Sequence, residues 1–358
     1  MYALAKKLGF NEENSIFLIR TLSLLFSILW LYLAFKLAKT YLKSTFSQNI
    51  FRAFMALTPA FVILSGAVNN DTLTALLGIW ALYEIARYYL HQKRRDFYLA
   101  TLAVLLASLT KISSLLLAIY FMIVLLVQYR NSIEYKEELK KNILIFGLSV
   151  LFVFGFALLK AHIPASGEFR FVNSALYANQ VIPYLDLNYF LSFHWFELIN
   201  EGMSYVFGNT KITHSFLTYL YGTMLMGEFD YSKFFKPGDF FKFSSQAIFL
   251  LAIIYVIGLL KYIHKYKNID TLYKLLIIPV LINLVLIVKF LSQFWVVCNS
   301  DFRYFAPVFA AIGLVFAIGL DLLIKNASFL KNTIALFAVL LAADEIFWMY
   351  KLIRFYTV

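Results

Sequence analysis

The sequence predicts an all-α fold, a polytopic transmembrane helical bundle of about ten spans with a partly helical outer segment. Three observations carry this reading. Hydrophobic residues make up 62% of the 358-residue chain and charged ones only 15%. Apolar runs of membrane-spanning length, about 20 residues, recur from one end to the other. These runs are rich in Leu, Ile, Phe and Ala without period-2 alternation. In hydrocarbon every backbone amide must be satisfied within its own segment, so they are helices and not barrel strands. The net charge of +12 would suggest nucleic acid in a soluble protein, but the basic residues cluster between spans and read as orientation signals. No nucleic-acid module, P-loop or CxxC pair occurs, so nucleic acid is not an expected partner and membrane lipids are. The single cysteine, Cys298, excludes an internal disulfide framework.

The expected spans are 15–35, 49–68, 72–90, 97–110, 113–128, 142–160, 244–262, 272–295, 304–324 and 331–350. The first is followed by Lys36, Lys39 and Lys43, which orient its end toward the cytoplasm. The second runs outward to "NND" at Asn69–Asp71, and the third returns to "HQKRR" at 91–95. The stretch 97–128 would be about 46 Å long as one helix, too long, while each half is about 21 Å, short for a core of about 30 Å. Flanking charge decides between them. Arg94 and Arg95 precede the stretch and Arg130, Lys136, Lys140 and Lys141 follow it, so both flanks face the cytoplasm and the chain crosses twice. Lys111, between the halves, then lies near the outer face. Lys261, Lys265 and Lys267 place the end of the 244–262 span inside, and Lys325 and Lys331 do the same between the last two spans.

This topology puts the amino terminus, Asn69–Asp71, Lys111, the segment 161–243 and "CNSDFRYFAP" (298–307) outside. The chain divides into an N-terminal transmembrane module, 1–160, an outer amphipathic segment, 161–243, and a C-terminal transmembrane module, 244–358. The outer segment has aromatic residues throughout, together with Glu168, Arg170, Asp186, Glu197, Glu201, Glu228 and Asp230. Short helices lying along the membrane surface fit that mixture better than a flexible linker.

Several polar positions stand out. Asn69, Asn70 and Asp71 before Thr72 read as an Asx-type helix cap. Three consecutive polar residues exceed what a cap needs, and their oxygens also suit a divalent metal ion. Lys111, flanked by Thr110, Ser113 and Ser114, reads either as a snorkelling lysine or as the cation that an anionic head group requires. Arg303 and Tyr304 read as a surface pair and aromatic belt, or as a guanidinium gripping phosphate. Glu84 and Arg87, three apart on one helix, read as a structural pair. Asn283, Lys289, Asp321, Asp344 and Glu345 are costly near lipid and are expected to pair between helices. His162, His194 and His214 lack zinc-site spacing.

"PAFVILSGAVNNDTLTALL" (59–77), then "LASLTKISSLL" (106–116), then "DFRYFAP" (301–307) together resemble the GT-C superfamily of membrane glycosyltransferases. The nearest branch is that of dolichyl-phosphate-mannose–protein mannosyltransferases and the aminoarabinose transferases. The resemblance implies an integral, multi-pass protein of the plasma or inner membrane. It would transfer a sugar, with inversion, from a polyprenyl-phosphate carrier to a lipid, glycan or protein acceptor at the outer face. By resemblance Asp71 takes an acidic position, and Lys111 and Arg303 basic positions facing the carrier phosphate; Asp71 is the expected catalytic and metal-binding residue, and Asn69, Asn70 and Tyr304 complete the expected carrier site. Family members begin with one further span and a loop bearing the principal catalytic carboxylate, and this sequence begins after that loop. The expectation is therefore a truncated or inactive form, or one whose base is Glu228, Asp230 or Glu168. A non-catalytic GT-C-like subunit and a lipid-linked sugar transporter or flippase stay open as alternatives.

Impermeant cysteine labelling checks the topology: a cysteine placed at Gln92 should stay protected and one at Asn173 should react. The reverse pattern would invert it.

Overall fold

The computed structural model describes residues 9, 11–66, 70–132, 134–162, 185–201, 214–226, 271–293 and 301–324, with short stretches between 257 and 264 and between 331 and 346. Among the described residues the regular structure is helical, with no strand. The long helices form a membrane bundle, as the composition requires.

Helix α1, Glu12–Tyr41, opens with Asn11 as its cap, the side chain accepting from the Asn14 amide at 2.8 Å. Glu12 and Glu13 in the first turn and Lys39 in the last complement the helix dipole. At 30 residues it is longer than the expected 15–35 span, because both polar ends continue the helix past the apolar run. Phe17, Leu24, Ile28 and Tyr32 face outward, where lipid suits them, while Ser23, Ser27, Ala34 and Ala38 are buried. Small residues on that face let neighbouring backbones approach closely.

The expected single span at 49–68 is broken into α2, Thr45–Leu57, and α3, Pro59–Gly66. The reason is local. Pro59 has no amide hydrogen and disfavours the helical conformation in the residue before it, and Thr58 is extended at φ −74°, ψ 113°. Ser44 caps α2, and its hydroxyl donates to Asp321 Oδ1 at 2.7 Å, the interhelical pairing expected of that aspartate.

Helix α4, Asp71–His91, is central: 14 of its 21 residues are buried. Helix α5, Arg94–Thr110, ends where Lys111 is extended, at φ −150°, ψ 126°; a 3-10 turn, Ile112–Ser114, then leads into α6, Leu115–Asn131. The stretch is thus two helices packed on one another, not one. Helix α7 is Lys136–His162. Short helices α8, Leu187–Leu191, α9, Trp195–Glu201, and α10, Phe216–Met226, come from the segment expected to lie along the surface. Helix α11, Thr271–Gln293, the 3-10 segment Phe302–Val308 and helix α12, Phe309–Ile324, close the described bundle.

Among the described residues, five stretches are long and apolar enough to cross a membrane: Glu12–Tyr41, Ile112–Asn131, Lys136–Phe156, Thr271–Gln293 and Phe302–Leu323. Most of the expected span 244–262 lies outside the described residues, as do Asp344 and Glu345 of the expected span 331–350.

Two features lock the bundle around α4. Stacked rings join α1, α2, α3 and α12, with Phe61 and Phe309 centroids 4.1 Å apart, Phe54 and Phe309 4.8 Å, and Trp30 and Phe61 5.0 Å. The second feature is a backbone contact: a Cβ on Gly78 would lie 2.4 Å from the Pro307 carbonyl oxygen. Only glycine lets the 3-10 segment reach α4 so closely.

At the other end of α4, Arg87 meets Asp96 of α5 at 3.0 Å and Glu84 at 3.6 Å. The Glu84–Arg87 pair is present, but the nearer partner is Asp96, which is 0% exposed. A carboxylate so buried needs a cationic partner. Asn142 of α7 donates to the Tyr88 hydroxyl at 2.8 Å, tying α4 to α7 at the same level.

Gly78→Ala should destabilise the folded chain in detergent by about 1–3 kcal/mol, the scale of overpacking. Gly147→Ala is the control, since its Cβ would meet only the tip of Met122 at 3.8 Å. Equal thermal midpoints for the two variants would show that the α4 contact yields.

Candidate functional site

The three motifs meet at the amino-terminal end of α4. Asp71 is the first residue of that helix and is 3% exposed. Lys111 reaches it from the break between α5 and α6, with Nζ 2.5 Å from Asp71 Oδ1. Because Lys111 ends α5 in extended conformation, its side chain leaves the helix and turns back toward α4. The third contribution comes from a residue roughly 200 positions further along, carried to α4 by the close Gly78–Pro307 contact. Lys111 Nζ stands 4.7 Å from the Tyr304 ring centroid, and the Arg303 guanidinium carbon 5.6 Å from the same centroid. One aromatic ring thus serves two cations.

The segment bearing Arg303 and Tyr304 is held at its start. Asp301 is its cap: Oδ1 accepts from the Arg303 amide at 2.7 Å, and Oδ2 lies 3.7 Å from Arg303 Nε. The Phe302 amide donates to Thr223 Oγ1 of α10 at 3.0 Å, and the Thr223 hydroxyl in turn donates to the Tyr219 carbonyl at 3.0 Å. Phe290 of α11 packs on Tyr304 with centroids 5.9 Å apart. Thr223 and Asp301 were not singled out in the sequence as site residues. Their signal is weak there, because a buried threonine and a capping aspartate are common in any helical protein.

Asn70 corrects the capping expectation. It occupies the N-cap of α4 at φ −93°, ψ −1°, with no side-chain cap bond. Its Nδ2 donates instead to the Thr110 carbonyl at 3.2 Å, next to Lys111. The amide therefore straps α4 to the end of α5, and the Asp71 carboxylate is engaged by Lys111. Asn69, Glu168, Glu228 and Asp230 lie outside the described residues.

The site is polar but shielded. The Asp71 and Lys111 side chains are 5% and 17% exposed, and that of Arg303 is 34% exposed. Asp71 and Asp301 offset Lys111 and Arg303, so the described constellation is neutral overall. The ammonium retains further donors beyond the one used on Asp71, and the guanidinium is the part of the cluster most open to an incoming anion. A divalent ion does not fit the described donors. Asp71 is a single carboxylate with an ammonium on one oxygen, and no group of three His, Cys, Asp or Glu side chains gathers among the described residues.

A double-mutant cycle on Asp71→Asn and Lys111→Met should give a coupling of about 1–3 kcal/mol in stability, as expected of a shielded ion pair. Additive effects of the two substitutions would leave the pair without energetic weight.

Comparison of the chain with curated proteins and with solved structures returned no match. A family model described as dolichyl-phosphate-mannose-protein mannosyltransferase matches residues 1–158, the part that carries Asp71 and Lys111 but not Arg303 and Tyr304. The amino-terminal part of the chain is thus similar to that family, and the apolar helices support an integral multi-pass membrane protein.

Proposed function

We propose that the chain transfers a sugar from a polyprenyl-phosphate carrier to a lipid, glycan or protein acceptor at the outer membrane face. The observation that carries this reading is the gathering of Asp71, Lys111, Arg303 and Tyr304 from three distant parts of the chain around one ring. A structural ion pair would be complete with Asp71 and Lys111 alone. The added guanidinium on the open side gives the cluster a face for a phosphate.

Each residue has a distinct part in the transfer. Arg303 presents N–H donors to the phosphate as a fork, and Lys111 stands behind it as a point charge. As the sugar–oxygen bond breaks, negative charge grows on the departing phosphate, and fixed cations in a shielded site stabilise it there. Asp71 acts through Lys111, holding the ammonium aimed. Tyr304 positions both cations over its ring, and Asn70 keeps the Lys111 backbone against α4. The phosphate leaves without an acid. The acceptor hydroxyl needs a base to take its proton as it attacks the sugar carbon, and Glu228 and Asp230 are the carboxylates assigned to that step.

Transfer from a radiolabelled lipid-linked sugar to membrane acceptors, with carrier binding measured in parallel, tests the proposal. Lys111→Ala and Arg303→Ala should each weaken carrier binding by about 1.5–3 kcal/mol, the scale of a charge-assisted contact. Glu228→Gln or Asp230→Asn should lower the transfer rate about 10²–10⁴-fold, as loss of a general base does, with binding retained. Unchanged carrier affinity in folded Lys111 and Arg303 variants would remove the phosphate-site reading.

A further inference from the structure

A cavity of about 500 Å³ opens at the opposite end of the bundle from Asp71, where α4 and α6 end and α7 begins. Its volume falls within the range of small-molecule sites, roughly 300–1,000 Å³. The lining includes Tyr89 and Gln92 from α4, Gln128 and Asn131 from α6, and Glu134 and Tyr135 just before α7.

The groups around this cavity offer acceptors. Gln128 is 5% exposed, and its Nε2 donates to the Tyr89 carbonyl at 3.1 Å. That bond fixes which way the amide faces, since only the NH₂ end can meet a carbonyl. Gln128 Oε1 is then left buried with no hydrogen-bond partner among the described residues, and Gln92 Oε1 is in the same condition. Gln92 is held there by the backbone. It terminates α4 in the left-handed conformation at φ 52°, a position that costs a non-glycine residue about 1 kcal/mol. Two helices direct their negative carboxy-terminal ends at the same region. Glu134 adds a full negative charge at the exposed rim, and Tyr89 and Tyr135 add ring faces.

Buried acceptors, two helix carboxy-termini, one carboxylate and no cationic side chain in the lining select a ligand that is positive and rich in N–H donors. A hard divalent metal fits poorly, because one carboxylate with neutral amides supplies too little charge for it. We infer that this cavity binds a primary ammonium group, whose three N–H donors can be shared between the Gln92 and Gln128 amide oxygens and the Glu134 carboxylate. The amine can come from a soluble alkylamine or from an aminophospholipid head group. The site is remote from Lys111 and Arg303 and independent of the sugar-transfer reading.

The test uses the full chain in nanodiscs and reads its thermal midpoint. In phosphatidylcholine discs, added ethanolamine should raise the midpoint in a saturable way, whereas choline, whose nitrogen has no N–H, should not. In a second arm, discs containing phosphatidylethanolamine should raise the midpoint with no soluble amine present. A response confined to the first arm assigns a soluble amine, and one confined to the second a lipid head group; either supports the site. Glu134→Gln alters an exposed side chain, so folding is preserved, and it should raise the half-saturating ethanolamine concentration about tenfold, the loss of one charge-assisted bond. No shift in either arm, an equal response to choline, or an unchanged Glu134→Gln titration would overturn the inference.

Discussion

The close approach of Gly78 to the Pro307 carbonyl is the constraint on which the described architecture turns. Gly78 lies seven residues after Asp71, two helical turns along the same face of α4. Whatever is clamped to Gly78 therefore stands beside the face that ends in Asp71. The segment clamped there is Phe302–Val308, and its first turn carries Arg303 and Tyr304. Aromatic stacking around Phe309 seals the contact from the far side, and Thr223 and Asp301 fix where the segment begins. Without a glycine at this point, the 3-10 segment would be pushed off α4 and the ring of Tyr304 would move away from Lys111.

The two ends of α4 solve the same electrostatic problem differently. Charged groups surrounded by apolar helices are costly unless paired. At the Arg87 end the pairing is closed: Asp96 is fully buried, and Arg87 bridges it to Glu84 and to the Tyr83 ring. That arrangement joins α4 to α5 and gives the bundle a fixed register. At the Asp71 end the pairing is shielded yet open on one side, because Arg303 stays partly exposed and Lys111 has donors beyond its one bond. A closed network suits structure, and the partly exposed Arg303 is the group on which the proposed phosphate site draws.

Breaks in the helices place the chemistry. Pro59 separates α2 from α3, and Lys111 occupies the extended link between α5 and α6. A lysine within a continuous helix would point along its own face, toward lipid or a neighbour. At a break it turns back across the bundle end to meet Asp71, while Asn70 ties the same break to α4. The left-handed Gln92 does the equivalent at the other end, turning a helix terminus into part of a cavity wall.

The sequence by itself determined the fold class, because 62% hydrophobic content and recurring apolar runs leave a chain no stable alternative to a helical membrane bundle. It also determined which polar residues needed explaining, since Asp71, Lys111, Glu84, Arg87 and Arg303 interrupt apolar surroundings at a recognisable cost. What it left undecided was partnership. The Asn69–Asp71 run read as a cap, yet Asn70 straps α5 and Asp71 holds Lys111. Arg87 was matched with Glu84, three residues away, while its nearer partner is Asp96 of the next helix. Local spacing reveals neighbours on one helix, but contacts between helices depend on crossing angle and depth, which packing of small residues and rings sets. Only the tertiary structure could bring position 304 to position 111, because Gly78, with a hydrogen where other residues carry a Cβ, lets two backbones touch.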